Sequence, residues 1–226
     1  MSSRFSRALS ETVQRPWPVA VGLSLMGLSA LVNRLANDYI NTFPPANESL
    51  PDIIHALFQP MDFNLFVTAG EQVVMILIFT YLLFWDTENF PFSFILLGSF
   101  FLVRSGFLFC TILPAPFPRI DDTEIFKVAL VTFGTRDLFP SGHAGSLLVL
   151  GFLIQKDRWV RVTVFILAFL ASLAVLLMHV HYTIDVFGAL FIAYAVYVFL
   201  ERHVAPWARQ KRNRLGPNRP SKSSSP

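Results

Sequence analysis

One cysteine, Cys110, is the only thiol in this chain. Without a second there is no intrachain disulfide and no cysteine metal cluster, and because Cys110 lies inside an apolar run it is read as a packing residue. Charge is scarce too. Asp, Glu, Lys and Arg make up 15% of the 226 residues, against about 25% in soluble globular domains. With 54% hydrophobic residues, 24 phenylalanines and a mean hydropathy of +0.53, that shortage excludes an ordinary soluble fold. No internal repeat and no cleavable leader stand out. The first apolar stretch, from Val19, is flanked by Arg15 and Arg34 with no small-residue cleavage site after it, so it is read as a retained helix. The net charge of +3 comes largely from a basic C-terminal tail. No basic aromatic surface accompanies the tail, which argues against nucleic-acid binding.

What the chain does have is apolar runs near the roughly 20 residues that span a bilayer. Helices are expected over 17–35, 63–85, 91–113, 143–154, 159–178 and 182–200, giving an all-α polytopic membrane protein with six transmembrane helices. Leu113-Pro-Ala-Pro116 ends the third of them, because proline removes a donor and blocks continuation. Arg4, Arg7 and Arg15, then Lys156, Arg158 and Arg161, then Arg202, Arg209, Lys211, Arg212 and Arg214 fall on one side of such a bundle. By the positive-inside rule both termini are then cytoplasmic, and the acidic or mixed loops face the lumen, exterior or periplasm. The expected organisation is a cytoplasmic segment over 1–16, a six-helix catalytic domain over 17–204 and a disordered basic cytoplasmic tail over 205–226. Asn47-Glu-Ser49 is a glycosylation sequon on the outward side.

Two stretches concentrate the chemistry: Asp137-Leu-Phe-Pro-Ser-Gly-His143 and His179-Val-His-Tyr-Thr-Ile-Asp185. Each opens onto an apolar helix on the non-cytoplasmic side, where ionisable groups are costly and by default functional. His181 and Asp185 stand at i and i+4, so on a helix the carboxylate orients one ring nitrogen and raises the basicity of the other. A helix-tying His–Asp pair is the structural alternative. His143 follows Ser141 and Gly142 at a helix start, where free N–H groups bind phosphate and the imidazole can protonate a leaving oxygen. Arg104, inside the third helix, takes a phosphate or Asp137 as partner, or snorkels outward. Arg136 is a second phosphate candidate, or else a solvated loop charge. Asp137, six residues before His143, is a candidate to orient it. His179 is either a further site group or interfacial, and His55 and His203 are taken as surface residues. No metal or other cofactor is required by these residues, since the second-loop carboxylates match no ligand spacing.

Taken together, Pro-Ser-Gly-His143 and His181-Tyr-Thr-Ile-Asp185 resemble the type 2 phosphatidic acid phosphatase superfamily, and most closely its sphingomyelin synthase-related branch. Asp137 stands at that branch's distance from the histidine. Arg104 with Leu113-Pro-Ala-Pro116, and Leu50-Pro-Asp52 after the first helix, are similar to its other motifs. Plant phosphatidylcholine:diacylglycerol cholinephosphotransferases share the Ser-Gly-His followed by small residues, here Ala144-Gly-Ser146. The likeness covers residues 17 to 204. The phosphatases' Ser-Arg pair and Lys-x6-Arg-Pro are absent, which favours the transferases, whereas Pro140 leans toward the phosphatases. The resemblance implies an integral membrane enzyme that moves phosphocholine or a related headgroup from a glycerophospholipid to a lipid alcohol such as ceramide or diacylglycerol. His181 is then the nucleophile, Asp185 its orienter and His143 the acid and base, with Arg104, Arg136, Ser141 and Gly142 binding phosphate and Asp137 supporting. Hydrolysis of a lipid phosphate, or of a phospholipid in phospholipase C fashion, is the alternative on the same residues. Lipid binding or transport is the non-enzymatic one.

Overall fold

The computed structural model describes residues 16–44, 48–120 and 136–210, all helix, turn or extended chain with no strand. The N-terminal arginines, Asn47, the second-loop residues Asp121, Asp122, Glu124 and Lys127, and the tail beyond Gln210 lie outside them. The helices are α1 (Pro16–Ile40), α2 (Ile53–Leu57), α3 (Glu71–Trp85), α4 (Phe90–Cys110), α5 (Gly142–Leu153), α6 (Arg158–Leu177), α7 (Thr183–His203) and α8 (Ala205–Arg209). One turn of π-helix, Phe66–Gly70, runs directly into α3.

Five stretches are long and apolar enough to cross a membrane: α1, Phe66–Trp85, α4, α6 and α7. The sixth, α5, has 12 residues and so reaches only about 18 Å, short of the roughly 30 Å hydrocarbon core. It is nonetheless central, packed against α4, α6 and α7. Leu147, Leu150 and Leu153 of α5 are buried with Leu96, Phe100 and Ala193. On the outside, Ile76, Phe169, Phe191 and Phe199 are exposed, as expected of helices that are apolar all round and meet lipid.

Several helix ends moved: α4 stops at Cys110, before the expected break at Leu113-Pro-Ala-Pro116, and α7 runs on past 200 to His203. α1 continues past the expected end at 35 to Ile40, because its polar residues Asn33 and Asn37 are buried and bonded rather than solvated. α2 arises where no helix was expected, nucleated by Asp52, whose Oδ1 accepts from Ile54 N at 2.9 Å and His55 N at 3.4 Å. Cys110 is exposed at the end of α4 and does not pack into the core. Nor are residues 205–209 disordered. Ala205 and Ala208 of α8 are buried, Arg209 grips Glu201 through two nitrogens at 2.6 and 2.8 Å, and its Nε donates to Asn89 Oδ1 at 2.8 Å. Nearby, Lys156 Nζ lies 2.8 Å from the buried Asp86 carboxylate. These contacts tie one end of the bundle together; the candidate site occupies the other.

The α1–α4 contact depends on two glycines. A Cβ at Gly22 would come within 2.5 Å of Phe94 Cβ, and one at Gly98 within 2.8 Å of Leu25 Cβ. Close backbone approach of this kind is how helices associate in lipid, where burial drives nothing. Gly98→Val is therefore expected to destabilise the protein by about 1–3 kcal/mol, read as a lower thermal midpoint in detergent. A midpoint unchanged from wild type would show that α1 and α4 can separate without cost.

Candidate active site

The N-terminus of α7 builds the first half of the site. Tyr182 is its N-cap and Asp185 its third residue. The Asp185 carboxylate reaches back to accept from Tyr182 N at 2.8 Å, and the same oxygen lies 3.3 Å from His181 Nδ1. One carboxylate therefore caps the helix and holds the imidazole, and both side chains are buried. The Asp185 carbonyl also accepts from Ser141 N at 3.0 Å, which joins this turn to the start of α5.

Ser141 N-caps α5, its Oγ accepting from Ala144 N at 3.4 Å. The next two residues, Gly142 and His143, open the helix. A Cβ at Gly142 would sit 3.2 Å from Arg104 Nε, so the glycine lets this turn lie against the guanidinium. His143 Nδ1 lies 2.5 Å from Glu71 Oε2, and Ser146 Oγ donates to Glu71 Oε1 at 3.0 Å. Glu71 is the first residue after the π-helical turn, a feature often found at functional sites. The rings of His143 and His181 have centroids 6.1 Å apart at 70°. Ionised carboxylates only accept, so in each pair Nδ1 carries the hydrogen and Nε2 is the basic nitrogen. His143 is the more open of the two, at 26% side-chain exposure against 3% for His181.

Glu71 is the residue that sequence reasoning missed. The signal was present: one carboxylate in the apolar run Val67-Thr-Ala-Gly-Glu71-Gln-Val-Val74, an intramembrane ionisable group of the kind that is functional by default. Asp137 does not orient His143. It is buried, forms an ion pair with Arg104 Nη2 at 2.5 Å, and accepts from Asn33 Nδ2 at 3.2 Å and Asn37 Nδ2 at 3.1 Å. Arg104, 2% exposed, spends its other donors on Pro140 O at 2.8 Å and Asn33 Oδ1 at 3.1 Å. It lies beneath the Pro140–Gly142 turn, and Asp137 supplies the counter-charge that a guanidinium this deep requires. Arg136 is placed differently again. Its guanidinium bonds the carbonyls of Ile40 at 3.2 Å, Phe43 at 3.0 Å and Leu113 at 3.5 Å, which caps the end of α1. His203 is exposed, whereas His55 is not a simple surface residue: its ring stacks on His179 with centroids 4.1 Å apart. Among the described residues no three His, Cys, Asp or Glu side chains converge as metal ligands.

His143, His181 and Asp185 thus lie within one continuous segment, and that segment has known relatives. Residues 136–203 match the family described as PAP2 superfamily C-terminal. By this match the segment is similar to the type 2 phosphatidic acid phosphatase superfamily, whose members are phosphatases and phosphotransferases. No curated protein sequence matches the chain. Glu71, Arg104 and the first loop fall outside the PAP2-like segment, so the partner of His143 and the support under its turn come from the preceding helices.

Proposed function

We propose that this protein transfers a phospho-headgroup, phosphocholine or a close relative, from a glycerophospholipid to a lipid alcohol such as ceramide or diacylglycerol. The observation that carries the reading is the pair of facing imidazoles, each with Nδ1 on its own carboxylate. His181 Nε2 attacks phosphorus, and the bond from phosphorus to the diacylglycerol oxygen breaks. His143, acting in its protonated form with Nδ1 on Glu71, passes its Nε2 proton to that oxygen. The headgroup phosphate is then covalent on His181, with Asp185 keeping the ring in register. An acceptor hydroxyl gives its proton back to His143 and displaces His181, so both histidines end as they began. The N-terminal turn of α5, at Gly142 and His143, supplies N–H groups and a positive helix end to the equatorial oxygens. Arg104 acts on that turn from below.

The site is proposed to face the non-cytoplasmic side with both termini cytoplasmic. In support, Lys156, Arg158, Arg161, Arg202 and Arg209 cluster near the bundle end opposite the histidines, where the positive-inside rule puts the cytoplasm. The test is to incubate purified protein in detergent with phosphocholine-labelled phosphatidylcholine, ceramide and diacylglycerol, and to resolve labelled products by mass. Label in a new lipid is the expected outcome and names the acceptor. Label only in water-soluble phosphocholine would replace transfer with hydrolysis on the same histidines. No turnover of this donor, or of ethanolamine and inositol phospholipids, alongside release of phosphate from phosphatidic acid, would make the protein a lipid phosphate phosphatase.

A further inference from the structure

Between Leu50 and Met61 the first loop runs along the turn that carries His181 and bonds it repeatedly. Met61 N donates to Leu177 O at 2.8 Å. His179 Nε2 lies 3.1 Å from Phe58 O, and His55 Nε2 lies 3.1 Å from His181 O. Leu50 N donates to the Tyr182 hydroxyl at 3.1 Å. Asp52 closes the series: Oδ2 accepts from Thr183 N at 2.7 Å and Oδ1 from Thr183 Oγ1 at 2.9 Å. The turn is one that needs holding, since His179 has φ of 57°, a left-handed conformation uncommon outside glycine.

Asp52 is the hub of these contacts. It fixes Thr183, the first residue of α7, which stands two positions from His181 and two from Asp185. Its Oδ1 also caps α2, which carries His55 toward the His181 carbonyl. We propose that Asp52 is a positioning residue for the phosphoryl-accepting histidine, acting through Thr183 and His55, and that residues 50–61 form the clasp that sets the reach of His181. The proposal rests on the reading of His181 as nucleophile. Burial alone would raise the Asp52 carboxyl, but the bonds from Thr183 overcome it and hold it below its ordinary value, so the clasp stays closed above the normal carboxylate range. His55 is held below its ordinary value by burial and then by the neighbouring His179, and because a carbonyl only accepts, its Nε2 is the donor to the His181 carbonyl.

Four variants of the full chain in detergent test this: Asp52→Asn, Thr183→Val, Thr183→Ser and His181→Ala. Asparagine is nearly isosteric but cannot offer two oxygens to the two Thr183 donors. Asp52→Asn and Thr183→Val are each expected to lower kcat by about 10–100-fold, the scale of an ångström misplacement, with KM unchanged and the thermal midpoint near wild type. Thr183→Ser keeps both donors and keeps kcat. Hydrogen exchange of residues 177–185 should quicken in Asp52→Asn while α6 upstream does not change. Wild-type kcat in Asp52→Asn, a rise in KM alone, or unaltered exchange over 177–185 would each overturn the proposal. Turnover surviving in His181→Ala would instead remove the nucleophile assignment on which it stands.

Discussion

Turnover is expected to fall by on the order of 10⁴-fold or more in His181→Ala, and nearly as far in His143→Ala, because the two rings act as one unit and such losses do not add. Glu71→Gln gives the more informative result. Glutamine nearly matches glutamate in shape and still offers an oxygen to His143 Nδ1 or to Ser146 Oγ, so the fold around α3 and α5 has no reason to change. What it removes is the carboxylate charge against Nδ1 of His143, the ring assigned the acid role. General acid catalysis contributes about 10²–10⁴-fold, so a loss of kcat near the lower part of that range is expected, in protein that elutes and melts like wild type. If Glu71→Gln turns over normally, Glu71 is only a packing partner, and the acid role of His143 must be supported by another group.

The second large effect is on stability. Arg104→Ala leaves Asp137 at 5% exposure with its counter-charge gone, and breaking a buried pair in this way costs about 3–5 kcal/mol. The loss reaches the site, because Arg104 Nε also holds Pro140 O, one residue before Ser141 and three before His143. Asp137→Ala should cost as much by stranding the guanidinium. Removing both with Arg104→Leu and Asp137→Leu should recover part of the loss, since two apolar side chains leave no unpaired charge. A thermal-denaturation cycle over the single and double variants in detergent measures that coupling. Single losses below about 1 kcal/mol, or losses that simply add, would show that the pair is solvated and not the strut described above.

His181 and Asp185 were legible in the sequence because their relation is local, although not as a shared helical face: His181 lies before the N-cap Tyr182, and the Asp185 carboxylate in the first turn reaches back to both. His143 was legible for a related reason, since Ser141 and Gly142 mark where its helix begins. The partners were not legible. Proximity in sequence pointed to Asp137 as the orienter of His143, yet α5 starts at Gly142 and carries the ring toward Glu71, 72 residues upstream, while Asp137 turns to Arg104 and to α1. Arg136 looked like an anion ligand because a loop arginine advertises only its charge. The three carbonyls it caps come from two distant segments. Residues 50–61 carried one visible motif, Leu50-Pro-Asp52, whose Asp52 caps α2 locally, but the bonds that join this loop to the turn carrying His181 cross to residues beyond 176, and nothing in local pattern predicts pairings of that span. The helices themselves were placed well, apart from the ends of α1, α4 and α7 and the short pieces α2 and α8, and those short pieces depend on single capping or tethering side chains.

The Arg104 strut also sets an order for biogenesis. A chain enters the membrane from its N-terminus, and an arginine in an apolar helix costs roughly 2.5–3.5 kcal/mol on insertion scales. When α4 is released into lipid, Asp137 still lies 33 residues downstream, whereas Asn33, the Nη1 partner, is already in place on α1. The guanidinium therefore meets an amide first and a carboxylate second. During synthesis α1 serves as an interim berth for a charge that the bilayer alone would resist, and the later arrival of Asp137 locks α1, α4 and the start of α5 into one bundle.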